Sequence, residues 1–129
     1  MIIAIDDSSD IPIYQQIRNQ IVLGISDGRL EPGEQLPTVR ALAQEAGINS
    51  MTVNKAYQLL KQEGYIVADR RSGARVREVF AEQKGLSREA EETLARIISE
   101  AKIGGMTEQE LVEFCKQIYA GKSAGREEF

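Results

Sequence analysis

Apolar residues recur along this chain at helical spacing, and turn-forming residues fill the gaps between them. Ile13, Ile17, Ile21 and Ile25 stand four apart, with Tyr14 and Val22 widening the stripe, so a helix is predicted from Pro12 to the Asp27-Gly28 stop. Glu31-Pro32-Gly33-Glu34 is turn chemistry, and Gln35-Leu36 runs extended because Pro37 excludes the α region from the residue before it. Thr38 is an N-cap for a second, short helix whose Val39, Leu42, Ala43 and Ala46 share one face before Gly47 breaks it. Asn49 or Ser50 caps a third helix, where Val53, Ala56, Tyr57 and Leu60 repeat the spacing up to Gly64. Residues 2–5 are β-branched and apolar and predict a brief strand, ended by Asp6-Asp7-Ser8-Ser9.

Two short helices around a glycine turn suggest a helix-turn-helix, although any helical hairpin shares that pattern. The next stretch narrows the choice. Residues 65–68 and 74–77 read as strands flanking Asp69-Arg70-Arg71-Ser72-Gly73, a hairpin with a basic tip. Three helices followed by a hairpin is the order of a winged helix. Beyond Phe80 the chain becomes charged and helical. Ser87 caps a helix with Ala90, Leu94, Ile97, Ile98 and Ala101 on one face, and Gly104-Gly105 ends it. Thr107 and Glu110 form a capping box, with Met106 and Leu111 as its hydrophobic staple, for a last helix carrying Leu111, Phe114, Cys115 and Ile118. The predicted fold is mainly α with a small β wing. A winged helix-turn-helix spans residues 1–79, a two-helix dimerisation unit 80–121, and a flexible tail 122–129.

Composition narrows the chemistry. The 129 residues contain no histidine, which removes imidazole bases, Ser-His and Cys-His pairs and most zinc and iron sites. With no phosphate-binding loop and no convergent carboxylates either, no catalytic residue, cofactor or metal is expected. The one cysteine, Cys115, cannot form an internal disulfide, and its apolar helical neighbours predict a core thiol. No apolar run approaches the roughly 18 residues of a membrane span, and Asp6, Asp7 and Asp10 spoil the start as a signal peptide. A cytoplasmic protein without membrane contact is expected.

Net charge is −4, yet it is unevenly placed. Between residues 35 and 77, Arg40, Lys55, Lys61, Arg70, Arg71, Arg75 and Arg77 outweigh Glu45, Glu63 and Asp69, a local +4. Such asymmetry points one face at a polyanion. Arg40 stands in the first turn of its helix, where a cation opposes the helix dipole and a phosphate would reverse the sign. A solvent-facing arginine with a nearby carboxylate is the alternative. The start of the third helix offers Asn49, Ser50, Met51, Thr52, Asn54 and Lys55, of which the polar side chains suit base edges and phosphates, or serve as plain caps. Arg70 and Arg71 fit either a wing probing DNA or gatekeepers against edge pairing.

The run Pro32-Gly33-Glu34-Gln35-Leu36-Pro37-Thr38-Val39-Arg40-Ala41-Leu42-Ala43 resembles the GntR family of bacterial transcription regulators, as do Gly47-Ile48-Asn49, Thr52-Val53, Ala56-Tyr57-Gln58-Leu59-Leu60 and Glu63-Gly64-Tyr65-Ile66. Pro12-Ile13-Tyr14-Gln15-Gln16-Ile17, Ala56-Tyr57 and the chain length are similar to its YtrA subfamily, whose remainder is a small helical dimerisation unit. The resemblance implies DNA contact by Arg40, Asn49, Ser50, Met51, Thr52, Asn54, Arg70, Arg71 and Ser72, to which the basic face adds Lys55. It departs where the family often has a basic residue at Ser50 or Asn54. The wing pattern Gly-x-Gly-Thr-Phe-Val reads here Arg71-Ser72-Gly73-Ala74-Arg75-Val76.

The expectation is a homodimeric, sequence-specific regulator of double-stranded DNA, in the manner of a repressor. An inverted-repeat operator is its predicted site, and Leu94, Ile97, Ile98, Leu111, Phe114 and Ile118 are its dimer seam. A winged-helix module that meets an acidic protein is the alternative. A small-molecule effector between the C-terminal helices stays open, without a motif that specifies one.

Overall fold

The computed structural model describes residues 1–71, 73–78, 80 and 85–121. They form α1 (Ile13–Ser26), α2 (Val39–Ala46), α3 (Ser50–Glu63), β1 (Ile66–Asp69), β2 (Gly73–Val76), α4 (Arg88–Ile103) and α5 (Glu108–Tyr119). The chain divides into an N-terminal unit, reaching Phe80, and a C-terminal unit that holds α4 and α5. Ser72 and the tail predicted at residues 122–129 lie outside the described residues.

The N-terminal unit has one core. Helix α3 packs against both α1 and α2, and the side chains that meet are those of the predicted stripes. Ile17, Ile21, Leu42, Val53, Ala56 and Leu60 are almost fully buried, joined by Leu30, Leu36, Ile66 and Val76 from the connections and the hairpin. The ends of the first stripe, Ile13 and Ile25, are half-buried against this cluster. Burying one such aliphatic side chain is worth about 1.5–3 kcal/mol, which is why short helices of indifferent propensity hold together here.

Local signals set the helix limits. The Thr38 hydroxyl accepts a hydrogen bond from the Ala41 amide at 3.0 Å and so caps α2. Gly47 ends it at φ 68°, a left-handed conformation that lets the Gly47 and Ile48 amides both reach the Ala43 carbonyl. Asn49 takes the cap of α3, accepting from the Met51 amide at 2.7 Å. The reversal between α2 and α3 is therefore complete within three residues.

Strands β1 and β2 pair antiparallel, from Ile66 opposite Val76 to Asp69 opposite Gly73. Each lies one residue nearer the turn than predicted. Tyr65 is drawn out of the first strand because its amide bonds back to the Leu60 carbonyl at the end of α3. The extended segment before Pro37 bridges to the free side of β2, Gln35 opposite Arg75. The Val76 amide donates to the Glu34 carbonyl and the Leu36 amide to the Ala74 carbonyl, each at 2.8 Å.

Residues 2–5 do not form a strand, contrary to expectation. Met1, Ile3 and Ile5 alternate inward against the core as a strand would. Their backbone partners, however, are glutamine side chains on α1. Gln20 accepts from the Ala4 amide at 3.0 Å and donates to the Ala4 carbonyl at 2.6 Å. Gln16, which is buried, does the same for Asp6 and adds a bond to the Ile11 carbonyl. A carboxamide presents the same donor–acceptor pair as a peptide, so no neighbouring strand is needed.

The C-terminal unit is differently built. Ser87 caps α4 and the Thr107–Glu110 capping box opens α5, whose paired hydrogen bonds hold the exposed Glu110 carboxyl below its ordinary pKa. Neither helix buries a single residue. Cys115, predicted as a core thiol, is exposed. Its helical face is apolar, but among the described residues that face holds no buried side chain.

Candidate nucleic-acid interface

The basic half of the N-terminal unit is built on the start of α2, the start of α3 and the hairpin turn. Arg40 is the second residue of α2, exposed beside the Thr38 cap. Asn49, Ser50, Met51, Asn54 and Lys55 are exposed at the head of α3, and Thr52 is half-exposed. The core stripe of Val53, Ala56, Tyr57 and Leu60 turns these residues outward, since positions two apart on a helix face opposite ways.

The side chains are not equally free. Asn49 commits its carbonyl oxygen to the Met51 amide, leaving its NH2 group for another acceptor. The Lys55 ammonium lies 4.1 Å from the centroid of the Tyr14 ring, a cation–π contact that ties the head of α3 to the start of α1. Asn54 lines a shallow groove of about 210 Å³ together with Thr38 on one side and Gly73 and Ala74 of the hairpin on the other. This groove joins the three basic elements.

Its geometry depends on Tyr57, whose hydroxyl donates to the Pro37 carbonyl at 2.8 Å. That bond fixes the approach to α2 against α3. Burial, aided by the nearby charge of Glu45, pushes the Tyr57 hydroxyl well above the ordinary tyrosine range, so it stays protonated and able to donate.

Arg70 and Arg71 stand exposed in the turn between Asp69 and Gly73. The Asp69 carboxylate accepts from the Arg71 amide at 2.8 Å, and Gly73, which opens β2 opposite Asp69, takes a left-handed φ of 68° that favours glycine. Arg75 and Arg77 are only half-exposed, each with a buried Nε that meets no acceptor among the described residues. The exposed cations of this face are therefore Arg40, Lys55, Lys61, Arg70 and Arg71.

Two of the three local acids do not oppose them freely. Glu63 forms a paired salt bridge to Arg18 on α1, at 2.8 and 3.1 Å. Hydrogen bonding to Glu63 raises the Arg18 pKa further, and Arg18 also sits over the Tyr65 ring. Asp69 is spent on the turn. The excess of positive charge read from the sequence thus survives folding.

Gln58 and Lys61 also line the groove; Lys61 counts toward the local +4, but the sequence pattern assigns neither to the site. A signal existed, since they stand four and seven residues beyond Asn54 on the same face of α3. The predicted seam residues lie on α4 and α5. Leu94, Ile97, Ile98 and Phe114 are 42%, 48%, 38% and 50% exposed, while Leu111 and Ile118 are half-buried. An apolar hollow of about 350 Å³ between the two helices is lined by Ile98, Ala101, Met106 and Leu111. Among the described residues no helix is long and apolar enough to cross a membrane.

Known proteins match this arrangement. Residues 13–76 match the family described as "Bacterial regulatory proteins, gntR family". The HTH-type transcriptional repressor YtrA of Bacillus subtilis strain 168 is 35% identical over 126 residues, covering 96% of this chain and 97% of that protein. The solved structure of YtrA from Sulfolobus acidocaldarius, a GntR-family transcription factor, has a TM-score of 0.61 at 40% identity, over 80% of this chain and 99% of that one. The DNA-binding domain of AraR, solved in complex with operator ORX1, has a TM-score of 0.50 at 27% identity, over 57% of this chain and 90% of that domain. Relatives of this kind are transcription regulators and not enzymes. The protein belongs to the GntR family of bacterial DNA-binding transcription regulators, and within it is similar to the YtrA type.

Proposed function

We propose that this chain is a homodimeric repressor that reads an inverted-repeat operator with the head of α3 while its hairpin grips the backbone alongside. The observation that carries the reading is the contrast in exposure at α3. Its core stripe is closed, and its opposite side opens with polar residues inside a region of net +4. Asn49, Ser50, Met51, Thr52 and Asn54 are assigned to base edges and nearby phosphates. Arg40, Lys55, Arg70, Arg71 and Ser72 are assigned to the DNA backbone. Repression is carried over from the name of the YtrA relative.

Leu94, Ile97, Ile98, Leu111, Phe114 and Ile118 are assigned to a two-fold seam. What supports this is that α4 and α5 are well capped, carry apolar faces and hold no fully buried residue among those described. The hollow between them is assigned to side chains of the second protomer and not to an effector, because Ile98 and Leu111 belong to both. The domains then divide as residues 1–79 for DNA, 80–121 for dimerisation and 122–129 as a tail.

The test is a gel-shift series with duplexes selected from a random pool by the full chain. Inverted half-sites about 34 Å apart should bind far better than the same half-sites as direct repeats, with affinity falling steeply as salt rises. Equal affinity for both arrangements, or a flat salt response, overturns the reading. The latter outcome would favour a protein-interaction module.

A further inference from the structure

We infer that Met51 is a specificity-determining residue that reads the C5-methyl group of a thymine in each half-site. The inference rests on the proposed operator binding by α3 and adds the chemical feature recognised. Met51 is 77% exposed, more than any other large apolar side chain among the described residues of the N-terminal unit. It has no place in the core cluster, which it faces away from as the second residue of α3, two before the buried Val53. Its backbone amide is pinned to the Asn49 side chain at 2.7 Å, so its place at the helix head is fixed.

Every exposed neighbour on this part of the helix is polar: Asn49, Ser50, Asn54 and Lys55. Those side chains can answer the donors and acceptors of base edges. None of them answers the single apolar group that the major groove presents, the thymine methyl. An unbranched, polarisable thioether standing alone among polar neighbours is the chemical complement of that methyl. The positive charge around it brings it to DNA and disfavours an apolar protein partner, which would have to cover Lys55 and Arg40 as well.

The experiment uses the full chain and the duplex it selects from a random pool. Each thymine is replaced in turn by deoxyuridine, which lacks only the C5-methyl. One thymine per half-site should be sensitive, its replacement weakening binding about fourfold, the value of one buried carbon. Met51→Ala and Met51→Gln should bind the thymine and deoxyuridine duplexes alike, while keeping the parent's salt slope and its affinity for scrambled DNA. Because Met51 is exposed, neither change disturbs the core, and an unchanged thermal transition checks this.

The inference is overturned if the selected half-site has no sensitive thymine, or if the sensitivity persists in Met51→Ala. Those outcomes leave operator binding standing. If instead the full chain selects no duplex at all, the operator reading fails and the role of Met51 fails with it.

Discussion

Helices α1 to α3 and helices α4 and α5 carry the same kind of sequence pattern, yet their apolar faces meet opposite fates. Ile17, Ile21, Leu42, Val53 and Leu60 vanish into a core, whereas Leu94, Ile97, Ile98 and Phe114 stay exposed. The difference is not one of helix quality, since α5 has the full capping box and α1 has no side-chain cap at all. It is one of supply. The N-terminal unit brings three helices and a hairpin around one centre, while two helices joined by a glycine pair cannot enclose anything between them. Periodicity specifies a helix and its apolar face; it does not say what covers that face.

The largest effect should come from charging the uncovered face. A Leu94→Asp, Ile98→Asp double variant should become monomeric and lose operator affinity by about 10²–10⁴-fold, because the second half-site no longer binds at high effective concentration. Its N-terminal unit should keep its thermal transition. Loss of that transition would mean that the two regions depend on each other for folding, and would break the comparison from the C-terminal side.

Next in size is truncation inside the covered face. Ile17→Ala leaves a cavity where the side chain is wholly buried and should cost about 2–5 kcal/mol in urea unfolding. The matching change at the exposed Ile97 should cost the fold of one protomer little and should act through assembly. Equal losses of fold stability at the two positions would show that both faces are ordinary core.

Two substitutions at the DNA face sharpen the picture further. Asn54→Ala should cost about 1–3 kcal/mol on the selected operator and almost nothing on scrambled DNA, as a base contact would. Arg40→Ala should weaken both duplexes alike and lower the salt slope by about one unit. A titration series in which the two variants exchange these behaviours would reverse their assigned roles.

The smallest effect belongs to Tyr57→Phe, which removes the hydrogen bond to Pro37 and should cost about 1 kcal/mol. The pH dependence has a definite sign. The hydroxyl is raised on folding, so its contribution is complete below the unfolded value of about 10 and is lost as pH climbs beyond it. Urea unfolding at alkaline pH should therefore destabilise the parent more steeply than Tyr57→Phe. Parallel pH curves would remove Tyr57 from this role.

Much of the fold was legible because its signals are local. Thr38, Asn49, Ser87 and Thr107 each cap the helix they precede, and the stripes of α1 to α3 name the core almost residue by residue. The strand expected at residues 2–5 misled because its partners are side chains of Gln16 and Gln20, which no pattern of strand residues announces. Cys115 misled for the reason α4 and α5 differ from α1 to α3: an apolar stripe looks the same whether its side chains end buried or exposed. At the proposed DNA face, the exposed heads of α2 and α3 were readable from charge and cap positions. The hold of Tyr14 on Lys55 was not, and neither was the closing of a groove between α3 and the hairpin, because both arise only when distant segments meet.

The central claim, that the uncovered helices are one half of a seam, is tested most directly by sedimentation of the full chain at micromolar concentration. A species of twice the 14.3 kDa chain mass is predicted, reverting to the single chain in Leu94→Asp, Ile98→Asp. A parent that sediments as a monomer would contradict the account.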